Sequence, residues 1–125
     1  MSTVAVVLVA VGGGVGAVLR FVLDSVVKAH WPRPLPLGTI VINVSGSLVL
    51  GYVTGLGAAG LLPTLAVAAL GTGMMGGYTT FSTASVETVQ LVRAGHPWLA
   101  LVNGIGMLVV SVGAAALGLL LGRNT

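Results

Sequence analysis

The chain has 125 residues, and 5 Lys+Arg and 2 Asp+Glu bring its charged fraction to 6%, whereas a soluble domain carries about 25%. With 56% hydrophobic residues and 20 glycines, too few polar side chains remain to cover a surface that faces water. The composition therefore excludes most soluble folds. The basic residues are scattered, which excludes a nucleic-acid interface. The absence of cysteine excludes disulfides, thiolate metal sites and a Cys nucleophile.

The length suits four membrane crossings with short connections. Each crossing of a bilayer needs about 20 apolar residues, and the apolar runs are separated by turn residues that include Pro32, Pro36, Gly60 and Pro97. We therefore expect an all-α integral membrane protein with a single domain over residues 1–125. The predicted transmembrane helices cover about 3–28, 37–56, 63–92 and 98–121.

Charged residues are few enough to consider one by one. Arg20 and Asp24 lie four residues apart and are spaced to form an ion pair, or to reach the interface separately. The first and third connections carry Lys28, Arg33 and Arg93, whereas the side that holds both termini carries only Arg123. Because positive loops stay in the cytoplasm, we expect a multi-pass protein of the plasma membrane with both termini outside.

Small and polar residues form a stripe on the second helix. Thr39, Asn43 and Ser47 recur every four residues, and Gly51 and Gly55 continue the series. Close packing of helices explains such a stripe. A polar path through the membrane explains it equally, because a buried Asn amide is costly without hydrogen-bond partners.

The third apolar run is interrupted by four glycines and three threonines within residues 71–80. We predict a break in this helix near residues 73–80. Irregular backbone is tolerated at membrane depth only where protein buries it or where it lines a polar cavity. Freed carbonyls then coordinate a cation, and the hydroxyls between Thr79 and Thr83 offer donors to an anion. A kink that serves packing alone accounts for the glycines and leaves the hydroxyls unexplained.

The fourth helix repeats a polar spacing through Asn103, Met107 and Ser111. Two polar stripes and a broken helix in one small bundle together favour a permeation route. Glu87 follows the break, where a buried hydrogen-bonding role is favoured over that of a coupling carboxylate. No His-Glu-x-x-His motif is present, and the glycine run lies inside a membrane helix rather than after a strand, so we expect no enzyme.

Four segments of the chain resemble the small fluoride channel family, called Fluc or CrcB. They are Gly12-Gly13-Gly14-Val15-Gly16-Ala17 with Arg20-Phe21, Pro36-Leu37-Gly38-Thr39 with Asn43 and Gly46-Ser47, Gly76-Gly77-Tyr78-Thr79-Thr80-Phe81-Ser82-Thr83 with Glu87, and Asn103 with Ser111. The resemblance extends over nearly the whole chain.

The resemblance implies a fluoride-specific channel for passive export of cytoplasmic fluoride, which lowers the concentration and toxicity of the ion. It further implies an antiparallel dimer, formed with itself or with a homologous chain, that has narrow pores and a central structural sodium. The sodium falls on backbone oxygens of Gly76 and Thr79. The fluoride pathway falls on Asn43, Phe81, Ser82, Thr83 and Ser111, with Thr39 and Ser47 on the same stripe as Asn43. Structural or interface roles fall on Arg20, Glu87 and Asn103.

Two positions depart from the family pattern. Ala84 stands where a second Phe is usual, and Met107 stands where Tyr or Asn is often found. We therefore expect either that a homologous partner supplies the missing aromatic ring or that the chain works with a reduced set.

Two other functions remain as alternatives at this stage. A dual-topology exporter of organic cations and protons needs a membrane-embedded carboxylate, and helix one offers only Asp24, close to its end and beside Arg20. A non-transporting scaffold subunit of the membrane leaves the Asn43 stripe and the hydroxyl-rich break unexplained.

Overall fold

A computed structural model describes residues 2–31 and 35–125, and within these ranges the chain is helical and contains no strand. The helices are α1 (Thr3–His30), α2 (Leu37–Ala58), α3 (64–78), α4 (Ser82–Arg93) and α5 (Pro97–Arg123). In order along the chain, α3 and α4 together form the third of the four predicted crossings.

The helix ends follow from local sequence. The Ser2 side chain caps α1 by accepting a hydrogen bond of 3.1 Å from the Ala5 amide. Gly60 and Gly95 follow α2 and α4 with φ of 77° and 83°, a left-handed conformation that glycine adopts without a steric penalty. Pro97 begins α5, where the missing amide hydrogen costs nothing.

Three helices, Thr3–His30, Leu37–Ala58 and Pro97–Arg123, are long and apolar enough to cross a membrane. Their outer faces carry large apolar side chains, among them Val18, Phe21 and Leu108, which are 63%, 74% and 64% exposed. Since water-facing surfaces rarely display extended apolar patches, these helices indicate a membrane protein.

The third crossing is divided rather than continuous. A wide π-helical turn, Ala68–Met75, occupies most of α3. The helix ends at Tyr78, and Thr79 is extended with φ −79° and ψ 158°. Helical structure resumes at Ser82. The interruption therefore lies at residues 79–81, at the end of the interval predicted from sequence, and the preceding glycines remain helical.

Those glycines bring α3 against α1. A Cβ atom at Gly12 or Gly16 would collide with backbone atoms of α3, and a Cβ at Gly73 or Gly77 would collide with backbone atoms of α1. The contacts advance in the same order along both helices, so α1 and α3 run parallel. The backbones touch because neither helix has side chains along this seam.

A second line of glycine contacts, or seam, joins α2 to α5. A Cβ at Gly51 or Gly55 would collide with the backbone of α5, and a Cβ at Gly118 or Gly122 would collide with the backbone of α2. These helices also run parallel. Gly51 and Gly55, the C-terminal part of the α2 stripe, thus serve packing. The other three members of the stripe, Thr39, Asn43 and Ser47, remain for other contacts.

Of the two alternatives that the spacing allowed for Arg20 and Asp24, the ion pair is not formed. Asp24 Oδ2 pairs with Lys28 Nζ at 2.9 Å, rather than with Arg20. Both basic residues lie four positions from Asp24, but Lys28 lies nearer the end of α1, where its long side chain reaches solvent. The Asp24 carboxylate also packs on Gly38, where a Cβ would collide with it, and this contact joins the end of α1 to the start of α2.

Candidate ion pathway

The interruption after α3 opens into a groove between α2, α4 and α5 that encloses about 520 Å³. We call it the central groove. Among the residues that the structure describes, none of those lining it is ionisable as an acid or base in the physiological range. Its polar lining comes from Asn43, Ser47, Thr79, Thr80, Ser85, Thr88 and Ser111, and its other lining includes Phe81, Ala84 and Met107.

The Asn43 side chain replaces the helical hydrogen bonds that the interruption removes. Its Oδ1 accepts from the Thr80 amide at 2.8 Å, and its Nδ2 donates to the Thr80 carbonyl at 2.8 Å. In an unbroken helix the Thr80 amide would donate to the Gly76 carbonyl. Because this amide bonds to Asn43 instead, the Gly76 carbonyl loses its helical donor. The amide of Asn43 thereby satisfies backbone groups that could not find water inside a membrane.

The second amide hydrogen of Asn43 has a weaker partner. Nδ2 lies 3.2 Å from the Sδ atom of Met107, and a thioether is a weak acceptor. Met107 is 7% exposed. Asn43 therefore makes two strong contacts to the backbone and one weak contact to a side chain.

The hydroxyls at the interruption bond mainly to nearby backbone. Thr79 Oγ1 donates to the Met75 carbonyl at 2.9 Å. Thr80 Oγ1 accepts from the Thr83 amide at 3.2 Å and lies 3.4 Å from Ser82 Oγ. Thr80 thus acts as a side-chain cap for the first turn of α4.

Two groups at the groove lack such partners. Ser111 Oγ is buried and has no hydrogen-bond partner within the described ranges, and an unmade bond of this kind costs about 1–3 kcal/mol. Phe81 is 87% exposed, although it lines the groove. The groove therefore has an available hydroxyl donor and an uncovered aromatic ring.

Glu87 lies on another face of α4, away from the central groove. Thr39 Oγ1 donates to its Oε1 at 2.5 Å, and Thr39 is 2% exposed. This contact holds α4 against α2. Glu87 also lines a separate cavity of about 620 Å³ at one end of the bundle, together with Lys28, Thr83 and His96.

Asn103 joins α4 to α5. It is completely buried, and its Nδ2 donates to Thr88 Oγ1 at 2.9 Å. Its Oδ1 has no partner among the residues described. The side chain supports the wall of the groove through Thr88 without lining the groove itself.

The structure brings together part of the set predicted from sequence. Asn43, Ser47, Phe81 and Ser111 line the central groove, as does Thr79. Thr83 lines the end cavity. Thr39, Ser82, Gly76 and Arg20 line neither space.

Sequence reasoning missed Ser85 and Thr88, which line the groove on α4. They lie four and seven residues after Phe81, a spacing that puts all three residues on one face of a helix, so the sequence pattern could have identified them. Tyr78 was unassigned from sequence. Its hydroxyl lies 3.0 Å from Ser45 Oγ on α2, so its ring spans the gap between α3 and α2.

Comparisons with a family model and with individual proteins agree on one family for this chain. Residues 7–119 match the family described as CrcB-like protein, Camphor Resistance (CrcB). The chain is 52% identical to "Fluoride-specific ion channel FluC 1" of Leifsonia xyli subsp. xyli, over 98% of this chain and 89% of that protein. It is 47% identical to "Fluoride-specific ion channel FluC 2" of Cutibacterium acnes, over 93% and 95%.

A more distant relative covers the full length of both proteins. The chain is 37% identical to "Fluoride-specific ion channel FluC" of Pyrococcus horikoshii, over 99% of this chain and 100% of that protein. The matched range includes both polar stripes and the interrupted third crossing. The chain therefore belongs to the CrcB-like family.

Proposed function

We propose that this chain is a fluoride-specific ion channel, not an enzyme, and that it lets cytoplasmic fluoride leave the cell passively. The observation that carries this proposal is the 52% identity, over 98% of the chain, to a relative named as a fluoride-specific channel. The uncharged, donor-bearing central groove suits this function.

Fluoride is small and strongly hydrated, so a selective pore must replace its water with many donors. The Asn43 amide and the Ser111 hydroxyl are neutral donors at the groove. The positive edge of the Phe81 ring adds a further favourable contact. Neutral donors compensate for dehydration without holding the ion so tightly that conduction stops.

Export needs no energy source beyond the membrane potential. An interior negative by 100 mV favours the exit of one negative charge by about 2.3 kcal/mol. Continuous leakage of fluoride through the pore keeps its cytoplasmic concentration, and hence its toxicity, low.

The pathway is completed by a second chain inserted in the opposite direction. Phe81 is 87% exposed, and the groove that it lines is open on one side, as expected for half of a channel. Ala84 lines the groove beside it and marks where a second ring is missing. The partner is a second copy of this chain or a homologous chain that supplies that ring.

The interruption at residues 79–81 lies near the middle of the bilayer in this arrangement. The helix of residues 64–78 rises roughly 20 Å and the helix Ser82–Arg93 rises about 18 Å, so the interruption between them falls near the centre of a hydrocarbon layer of about 30 Å. The exposed Phe81 side chain at the interruption then faces the partner chain.

A structural sodium ion fits the backbone of this region. The Gly76 carbonyl loses its helical donor because the Thr80 amide bonds to Asn43, and the Thr79 carbonyl lies in extended backbone. Released carbonyl oxygens of broken membrane helices are suitable ligands for sodium. Gly76 and Thr79 would hold the ion, whose charge would offset the carbonyl dipoles where two chains meet.

The proposed location is the plasma membrane, with both termini outside. Lys28 and Arg93 lie at the end of the bundle opposite Arg123, which agrees with retention of positive charge in the cytoplasm. Arg33, which the same charge argument uses, lies outside the described residues. Because native Cys is absent, single cysteines introduced as Ser2→Cys and Ala94→Cys can be labelled from outside intact cells. Labelling of Ser2→Cys alone is expected for a chain of fixed orientation that pairs with a homologous chain. Equal labelling of both positions would overturn the fixed orientation and indicate a chain inserted in both directions.

Flux in liposomes tests the function. The chain, alone and together with a homologous chain, is reconstituted in vesicles loaded with fluoride or chloride, and efflux is followed with an ion electrode. Fluoride efflux far above that of chloride is expected. Absence of fluoride efflux in both preparations, or proton-coupled uptake of a lipophilic cation instead, would refute the proposal.

The same vesicles distinguish the two partners. Full flux from the purified chain alone establishes the self-paired channel. Flux that appears only after a homologous chain is added establishes the mixed pair, with Ala84 as the position to be compared between the chains.

A further inference from the structure

Met107 lies beside the one Asn43 hydrogen that the interrupted backbone does not use. Asn43 offers two amide hydrogens and one carbonyl oxygen, and Thr80 takes one hydrogen and the oxygen at 2.8 Å each. The second hydrogen is directed toward Met107 Sδ, with 3.2 Å between nitrogen and sulfur. The same amide lines the central groove.

A thioether suits a bond that must be made and broken repeatedly. An amide hydrogen buried without any acceptor costs about 1–3 kcal/mol, and a sulfur acceptor recovers part of that cost. Because sulfur accepts weakly, an anion displaces it easily. A carbonyl or hydroxyl acceptor at this position would hold the hydrogen more strongly against an incoming ion.

Ser111 gives independent support from the same helix. It lies one turn after Met107, on the same face of α5, and both residues line the groove. Its hydroxyl is buried and has no partner within the described ranges. An anion that displaces the sulfur from Asn43 therefore has a second unused donor close by.

We propose that Met107 is a positioning residue for anion transfer, whose sulfur shares the Asn43 hydrogen in the empty groove and releases it when fluoride arrives. The inference rests on the proposed channel function. It makes Met107 a competitor of fluoride, which lowers the affinity of the site and speeds release of the ion.

Met107→Leu tests this competition, because leucine keeps the apolar volume and removes the acceptor. We expect the dissociation constant for fluoride, measured by titration calorimetry on the assembled channel, to fall about threefold, the effect of losing one weak hydrogen bond. The Asn43 side-chain amide proton resonance should also move in fluoride-free Met107→Leu. Met75→Leu is the control, since Met75 is 5% exposed and lies in α3 outside the groove.

An unchanged or weakened fluoride affinity in Met107→Leu, with a wild-type channel that conducts, would overturn the proposal. A wild-type protein without fluoride flux would refute the channel function instead, and the fluoride-free amide resonance would still test the Asn43–Met107 contact.

Should Met107→Leu fail to fold, the wild-type protein provides the test. The methyl-¹³C resonance of Met107, identified by elimination among the 4 methionines, should shift on titration with fluoride and not with chloride. A resonance that fluoride does not move would also overturn the proposal.

Discussion

Asn43→Asp replaces the side-chain amide nitrogen at the interrupted crossing with a carboxylate oxygen and keeps the shape of the side chain. The Thr80 amide keeps its acceptor. The Thr80 carbonyl, 2.8 Å from Nδ2 in the native chain, loses its donor and faces an oxygen that carries negative charge. The substitution therefore opposes the backbone geometry of the interruption and places a charge beside the path of an anion.

The size of the effect follows from the hydrogen bonds. Leaving the buried Thr80 carbonyl without its donor costs about 1–3 kcal/mol. The equilibrium constant for the native geometry of the interruption therefore falls by roughly 5-fold to 150-fold. Repulsion of fluoride by the new carboxylate adds to this loss, so we expect flux to fall at least about fivefold.

The assay is fluoride efflux from liposomes that contain equal amounts of assembled protein, checked by size-exclusion chromatography. Asn124→Asp is the matched control, because Asn124 Nδ2 donates to the Leu120 carbonyl at 2.8 Å on the exposed end of α5. Its flux should equal that of the native chain. Flux of Asn43→Asp within about threefold of the native rate would refute the role given to this amide.

Three further substitutions test the packing and the path. Gly16→Ala should destabilise the chain by at least about 2 kcal/mol in thermal unfolding, since its Cβ would collide with the backbone of α3. Gly14→Ala meets open space and should leave the midpoint unchanged or raise it slightly, because alanine is favoured over glycine in a helix by about 1 kcal/mol; a Gly16→Ala midpoint as high as that of Gly14→Ala would contradict the seam. Phe81→Ile should lower fluoride flux at least about tenfold while the size-exclusion profile of the assembled channel stays that of the native chain; undiminished flux would remove the ring from the path. Thr39→Val should lower stability by about 1–3 kcal/mol by leaving Glu87 without its donor, and a variant as stable as the native chain would show that this contact contributes nothing.

The composition and the residue periods reveal much of the architecture. A chain with 6% charged residues is suited to the hydrocarbon core of a membrane. The length of its apolar runs matches the thickness of that core. The turns at Gly60 and Gly95 and the division of the third crossing were visible as glycine, proline and hydroxyl clusters. These signals are local, because each depends on residues a few positions apart.

Other features depend on residues that are distant in sequence. Asn43 and Thr80 are 37 positions apart, and Asn43 and Met107 are 64 apart, so their contact exists only once α2, α4 and α5 have packed. The sequence spacing allowed Asp24 either basic partner, and only the geometry at the end of α1 selected Lys28.

The glycines show the same division. Their number in residues 71–80 predicted an irregular helix, yet the helix continues to Tyr78, and two of the glycines, Gly73 and Gly77, are used in backbone contact with α1. Sequence by itself determined the membrane environment, the helical class and the polar positions, since these follow from solvent and local spacing. Tertiary structure alone decided which of those positions meet, because hydrogen bonds between helices depend on how their backbones approach one another.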